Sequence, residues 1–399
     1  MFRIITFVSL IIIPIETFAQ QSALLENQPT TEMKIKQLQA DLDTLKASIA
    51  APVDKQVNTT ESLTDITWSL SGRIHRIIMA VDDGAETNSF FMDSDQGPTM
   101  IRLDAQAPQS SSGWTLGGRL EIGIQSNRSQ NVSQDEPNPG TDLTVRDADI
   151  KFEHQKYGKF NVGRGFSAAW LAPEIDLSGT GPVALLTVGM FAPGMKFVDA
   201  NSGELTDLRV RHFFVDTERL LLVDRVRYDS PSFYGGIIVS GTIAADSRWD
   251  TALRYYPNVE GWQVRSALTY QNQPVIGIMS RTDIALAAKH LHTGLSLSAG
   301  HSLSKREFTK SNSKAYVLKA GIEKHLFDIG SSAFSVDYTA GQYIDSKNDD
   351  VNSIGLVAAQ HLDVFNTYIY VGLRRYSVNH TDINLEDLNV AAFGIRFSF

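Results

Sequence analysis

Ala391-Ala392-Phe393-Gly394-Ile395-Arg396-Phe397-Ser398-Phe399 ends the chain. Phe393, Ile395, Phe397 and Phe399 alternate with Gly394, Arg396 and Ser398, so one face is wholly apolar and the other small or polar. Successive side chains of a β-strand point to opposite faces, and this alternation is the pattern of a half-buried strand. A core strand of a β-sandwich is one setting for it. Such proteins seldom stop on an apolar aromatic, however, because termini usually fray.

The amino terminus indicates another setting. Arg3 precedes an apolar run from Ile4 to Ile15, broken by Pro14, and Thr17-Phe18-Ala19 puts small residues before a cut after Ala19. This is the form of a secretory signal peptide over 1–19. A membrane anchor is the other reading, but the run falls short of the roughly 20 apolar residues a spanning helix needs. No later stretch approaches that length. Cysteine is absent, which excludes a disulfide scaffold, a cysteine-linked lipid anchor and thiolate metal sites. In an exported chain, the aromatic-terminated strand resembles the closing strand of outer-membrane β-barrels.

Composition agrees. The chain has 399 residues, 42% of them hydrophobic, yet its mean hydropathy is only −0.14. A helical membrane protein would be more apolar, whereas a barrel wets its lumen and loops and averages out as soluble. The formal net charge of −9 argues against nucleic acid as a partner. It says nothing about the sign of charge along a pore, because loops and lumen must be counted apart.

Three regions follow the signal. In 20–50, Ile35, Leu38, Leu42, Leu45 and Ile49 keep a 3-4-3-4 spacing, which fits a short coiled coil or a single amphipathic helix. Residues 51–66, with Pro52 and several Thr and Ser, form a linker. From Thr67 the pattern is alternating throughout. It predicts an all-β fold, a sixteen-stranded antiparallel transmembrane barrel over 67–399, from a first strand at 67–80 to a last at 387–399. Connections after odd strands, such as 81–98 and 127–143, are long or polar. Those after even strands, such as Gln155-Lys156-Tyr157-Gly158, are tight. That asymmetry belongs to an outer-membrane barrel with short periplasmic turns. Trp68, Trp114, Phe160, Phe233, Tyr255, Trp262, Phe334 and Phe399 fall near the short-turn ends, as an interfacial girdle would.

Arg225-Val226-Arg227-Tyr228-Asp229-Ser230-Pro231-Ser232-Phe233 resembles a strand-turn-strand segment of general bacterial porins, the trimeric sixteen-stranded barrels. Lys159-Phe160-Asn161-Val162-Gly163-Arg164 resembles the strand that leads into their constricting loop, and 165–218 sits where that loop belongs. The heptad segment is similar to that of DcaP-like porins, which have a periplasmic coiled coil and favour dicarboxylates. The resemblance implies a homotrimer in the outer membrane, a periplasmic amino-terminal segment, contact with lipid, recognition by the barrel-insertion machinery through Phe399, and no cofactor.

Setting the apolar parity toward lipid turns Arg73, Arg102, Arg119, Arg225, Arg227, Arg248, Arg254, Arg265, Arg281 and Arg396 inward. A lipid-facing arginine at mid-bilayer would cost about 2–4 kcal/mol. The inward acids are Asp104, Glu121, Asp147, Asp149, Asp283 and Glu323. Guanidinium forks match carboxylates, so the expected function is passive diffusion of small hydrophilic solutes with a preference for anions, dicarboxylates among them. The arginines could instead pair with inward acids and stiffen the wall. The run Arg225, Arg227, Arg248, Arg254, Arg265, opposed only by Asp250, is the expected selective wall. The 165–218 loop carries Trp170, Glu174, Asp176, Lys196 and Asp199, and its acids are expected to face that wall. As alternatives, the loop forms an external lid, or Asp207–Val215 adds strand and raises the count to eighteen.

Catalysis has little support. Gly294-Leu295-Ser296-Leu297-Ser298 misses the last glycine of a nucleophile elbow. His290 and His292 share a strand face without an identifiable third metal ligand. A barrel enzyme and a plugged adhesin or structural barrel remain the other function classes.

Overall fold

The computed structural model describes residues 65–214, 222–245, 247–272, 278–307, 312–342 and 349–399. The signal-peptide reading of 1–19, the helical seam of 20–50 and all but the end of the 51–66 linker lie outside the described residues.

Alternation builds one closed antiparallel barrel of sixteen strands. The strands are β1 (Thr67–Asp82), β2 in two halves (Thr87–Asp93 and Met100–Gln106), β3 (Trp114–Ser126), β4 (Thr141–His154) and β5 (Gly158–Phe166). Then come β6 (Leu222–Asp229), β7 (Ile237–Ala244), β8 (Trp249–Tyr255), β9 (Trp262–Asn272), β10 (Ile278–His290) and β11 (Leu295–Arg306). The last five are β12 (Ser313–Phe327), β13 (Gly330–Gln342), β14 (Asp350–Leu362), β15 (Thr367–Asn379) and β16 (Leu388–Ser398). Each strand pairs with its neighbours in sequence, and β16 closes on β1 from Arg73↔Ser398 to Asp82↔Asn389. The ladder extends to the final residue: Gly72 N donates to Phe399 O at 2.8 Å and Phe399 N to Gly72 O at 3.0 Å. A Cβ on Gly72 would lie 2.6 Å from the Phe399 ring, so the glycine makes room for the terminal aromatic.

The outward parity is apolar. On β14, Ile354 and Leu356 are exposed while Ser353 and Val357 are buried, and β10 repeats this with Ile284 and Leu286 against Asp283 and Ala285. So large an exposed apolar belt is stable only against lipid.

Two expectations change, and one alternative falls away. The 81–98 connection is not a long loop. Asp83–Glu86 is a tight turn in which Asp83 Oδ1 accepts from Ala85 N and Glu86 N, and the strand resumes at Thr87. Over its described residues, 207–214, the segment that could have added a strand forms none in the barrel: Leu205–Arg209 pairs with Lys196–Val198 as a hairpin within the long loop. Finally, the inner wall is not uniformly polar. Ile77, Met79 and Val81 of β1 face in, as do Phe90 and Met92 of β2, Tyr376 and Val378 of β15 and Val390 and Ala392 of β16. All are buried, because the loop after β5 lies against them.

Candidate functional site

The long loop follows the inner wall of the barrel. At its base, Arg225 Nε donates to Phe166 O at 2.7 Å, Arg227 Nη1 to Ser167 O at 2.9 Å, and Arg254 Nη2 to Ala168 O at 2.5 Å. Asp250 accepts from Ala168 N and Ala169 N, both at 3.2 Å, and Thr242 Oγ1 accepts from Ala168 N at 2.7 Å. Strands β6 to β8 thus satisfy the backbone of a segment that carries no ladder of its own. Ala172, Ile175 and Leu177 then pack on Ala252, Ala267, Ala285 and Ala287, whose small side chains give the loop room.

Farther round, Asp176 meets Lys319 of β12 at 2.6 Å with both side chains buried, and Thr180 Oγ1 bonds Ser335 Oγ of β13 at 2.8 Å. Val183 and Ala184 pack on Val357, Ala359 and Tyr370. Arg396 Nη1 donates to Pro182 O at 2.6 Å. Val188, Phe191, Met195, Phe197, Phe213 and Phe214 complete the cluster against β1, β2, β15 and β16. Each such large side chain contributes about 1.5–3 kcal/mol on burial, which holds the loop inside rather than as an external lid.

A charged wall stands on β1 to β4 and β16. Glu121 of β3, almost fully buried, accepts from Arg102 Nε at 2.8 Å and from Arg146 Nε at 2.6 Å. Asp104 faces Arg119 at 2.7 Å and Lys151 at 3.5 Å. Arg73 Nε donates to Pro98 O at 2.8 Å and Arg396 to Pro182 O, both neutral partners. Arg396, Arg146, Glu121 and Arg102 all lie within electrostatic reach of Arg73. Among the described residues, Asp147 is a third acid here and makes no ion pair. Asp149 is cancelled by Arg225 at 2.9 Å. Arg73, Arg102, Arg119, Arg146, Lys151 and Arg396 therefore meet Glu121, Asp104 and Asp147 on this wall, with Asp93 of β2 taken by Arg76 at 3.8 Å and Glu153 at the exposed end of β4, and Arg102 and Arg119 keep more than a quarter of their side-chain surface open.

The sequence-predicted residues divide accordingly. Arg73, Arg102 and Arg119 belong to the charged wall. Arg225, Arg227 and Arg254 face inward as expected but fasten the base of the loop, and Arg225 is buried. Arg227 also pairs with Asp229 at 2.8 Å. Arg281 is buried against Asp283 at 2.8 Å, and Arg248 precedes β8 and is engaged. Only Arg265 of the expected selective run is exposed without an ion pair among the described residues; its guanidinium lies 5.6 Å from the Tyr256 ring centroid.

Two of the loop acids, Asp176 and Asp199, meet partners other than this run. Asp176 is spent on Lys319, Glu174 is buried and engaged, and Asp199 accepts from Asn201 N at 2.8 Å and bridges toward Leu385. Trp170 stacks on Phe166 at 3.5 Å between centroids. Lys196 reaches Asp135 at 2.8 Å and Asp207 at 3.0 Å. The Lys196 ammonium, with help from the Ser133 hydroxyl, holds the Asp135 carboxyl down at about 2.

Arg146 escaped the parity rule. Glu121 pairs with Asp147 and Ile122 with Val145, so Arg146 is the extra residue of a bulge in β4. Bulges re-aim side chains, and here Arg146 and Asp147 both turn inward. The sequence does carry a trace of the bulge: the outward apolar residues of β4 pass from odd positions, Leu143 and Val145, to even ones, Ile150 and Phe152. No group of His, Asp or Glu able to hold a metal occurs among the described residues.

No protein-family model matches the chain, and no curated protein matches it. Its backbone is similar to solved outer-membrane channels. An anion-selective porin from Comamonas acidovorans superposes with a TM-score of 0.57 at 16% identity, over 84% of this chain and 100% of that one. The outer membrane channel DcaP of Acinetobacter baumannii gives 0.52 at 10% identity, over 85% and 99%. OmpF of Salmonella typhi, in complex with daunomycin, gives 0.52 at 12%, over 83% and 97%. At these identities the likeness is one of fold. With its apolar belt and inward-folded loop, the chain has the sixteen-stranded barrel fold of outer-membrane porins.

Proposed function

We propose that the protein is a porin that passes small hydrophilic solutes by diffusion and favours anions, small dicarboxylates above all. The excess of cations on the charged wall carries this reading. A guanidinium bonded to a carbonyl keeps its charge, and so does the second cation on a shared carboxylate. Such fields sum in a narrow aqueous path between low-dielectric walls, and two guanidinium forks can meet the two ends of a dicarboxylate. The overall charge of −9 points the other way, but exposed charges beyond about 10 Å are screened at moderate salt. That one fold relative is an anion-selective porin supports the same sign.

Assembly as a homotrimer is part of the reading. Arg76 of β1 and Arg164 of β5 lie on the outward parity and donate to Ser126 O and Val145 O, each at 2.8 Å. Arg76 also lies 3.8 Å from Asp93; arginine on a lipid face is costly, less so toward the interfaces, and a second copy on this face relieves that cost. Phe399 is the contact for the insertion machinery.

Liposome swelling tests the transport reading. Vesicles carrying the protein should swell faster in a four-carbon dicarboxylate than in a diamine of equal length. Faster entry of the diamine would remove the anion preference, and no swelling in either would remove the porin.

A further inference from the structure

Strand β2 is broken in mid-barrel. Arg76 pairs with Asp93 and Arg73 with Met100, so two residues of β1, Ile74 and His75, face six of β2, Ser94–Thr99. The six are held in a fixed path. Asp93 Oδ1 accepts from Thr99 N at 3.1 Å, and Thr99 Oγ1 accepts from His75 N at 3.0 Å, which caps the open ladder.

The excursion points into the lumen and touches both halves of the site. With its amide turned to match its neighbours, Gln96 donates to Val183 O at 2.9 Å and accepts from Leu185 N at 3.1 Å, so it latches the long loop. Pro98 O takes the Arg73 guanidinium at 2.8 Å. Gly97, at φ +71°, is partly exposed, and the nearest atoms to a Cβ there would be those of the Arg396 guanidinium at 3.6 Å and Pro182 O at 3.7 Å.

We infer that Ser94–Thr99 is a second constriction element, which aims Arg73 and Arg396 and sets the clearance of the solute path at Gly97. The inference rests on the porin reading and assigns the narrowing jointly to the long loop and to this break in β2. A side chain at position 97 would stand beside the Arg396–Pro182 contact, where the charged wall meets the loop.

Single-channel recording of Gly97→Asn and Gly97→Asp tests it. Both residues tolerate positive φ better than others, and they differ in charge at nearly equal size. Both variants should conduct less than wild type. Only Gly97→Asp should also move the reversal potential toward cations, by setting a carboxylate against Arg396. A second variant, in which two residues replace 94–99 and restore the β1 register, should conduct more than wild type and with more noise. Wild-type conductance in the folded Asn and Asp variants, or in the shortened barrel if those do not fold, overturns the inference. A wild-type protein that passes no ions sinks the porin reading instead.

Discussion

Arg146 donates to Glu121 at 2.6 Å from the extra residue of a β-bulge. The bulge adds a second guanidinium to a carboxylate that Arg102 already neutralises. Positive charge on this wall is therefore a consequence of backbone irregularity as much as of composition, and the groups that surround Glu121 are the ones whose alteration should change selectivity.

Glu121→Gln should raise the anion-to-cation permeability ratio, because two guanidinium groups lose their only acid. Arg146→Ala should lower it. The two shifts have opposite signs, and both should shrink as salt is raised and the Debye length falls from about 10 Å at 0.1 M to about 3 Å at 1 M. Equal or absent shifts would place Glu121 away from the ion path.

Arg254→Ala should act differently. Its guanidinium binds Ala168 O and Ser240 Oγ rather than an acid. Losing a charged hydrogen bond of this kind costs about 1.5–3 kcal/mol, here at the base of the loop. The expected outcome is noisier current and faster proteolysis within 165–185, with the permeability ratio nearly unchanged. A large change in the ratio without added noise would return Arg254 to the selective wall.

Asp176 and Lys319 test the seating of the loop on β12. Both side chains are buried. Breaking a buried pair by removing one partner costs about 3–5 kcal/mol, while a well-packed apolar pair is tolerated. Asp176→Ala alone should lower the temperature at which the folded barrel loses its fast gel mobility. The double variant Asp176→Leu, Lys319→Met should recover most of that loss. A single variant as heat-resistant as wild type would contradict the contact.

Asp135 gives a pH dependence with a definite sign. Its carboxyl is held near 2, below the ordinary 3.8, by the Lys196 ammonium. A depressed acid contributes its stabilisation above the ordinary value and loses it as pH falls through the folded one. The contact between the 127–140 loop and the long loop should thus be intact from pH 8 to about 4 and weaken between about 3.8 and 2. Open-channel noise should rise only in that window, and Asp135→Asn should show the acid behaviour at neutral pH. A transition near pH 6 to 7 would assign the effect to another group.

The barrel was legible in the sequence because period-two alternation is local: Phe393 to Phe399 and the tight turn at Gln155–Gly158 gave strand, parity and rim. The inward direction of Arg73, Arg102 and Arg119 followed from the same rule. What the rule missed depends on tertiary register. Arg146 changes face through one extra residue, and β2 leaves its ladder through four more residues than β1 can match. The apolar inner wall did leave a signal. Ile77-Ile78-Met79-Ala80-Val81 is apolar at both parities, the mark of a strand buried on two faces. The path of the long loop was not legible, because its anchors on Arg225, Arg227 and Arg254 are backbone carbonyls that any residue could supply.

The central claim is that inward cations outweigh acids in the conducting path of an acidic protein, and the reversal potential of wild-type channels in a potassium chloride gradient tests it most directly. A potential of the sign set by chloride is expected, larger at low salt and reduced at high salt by screening. A potential of the sign set by potassium, at any salt concentration, would contradict it.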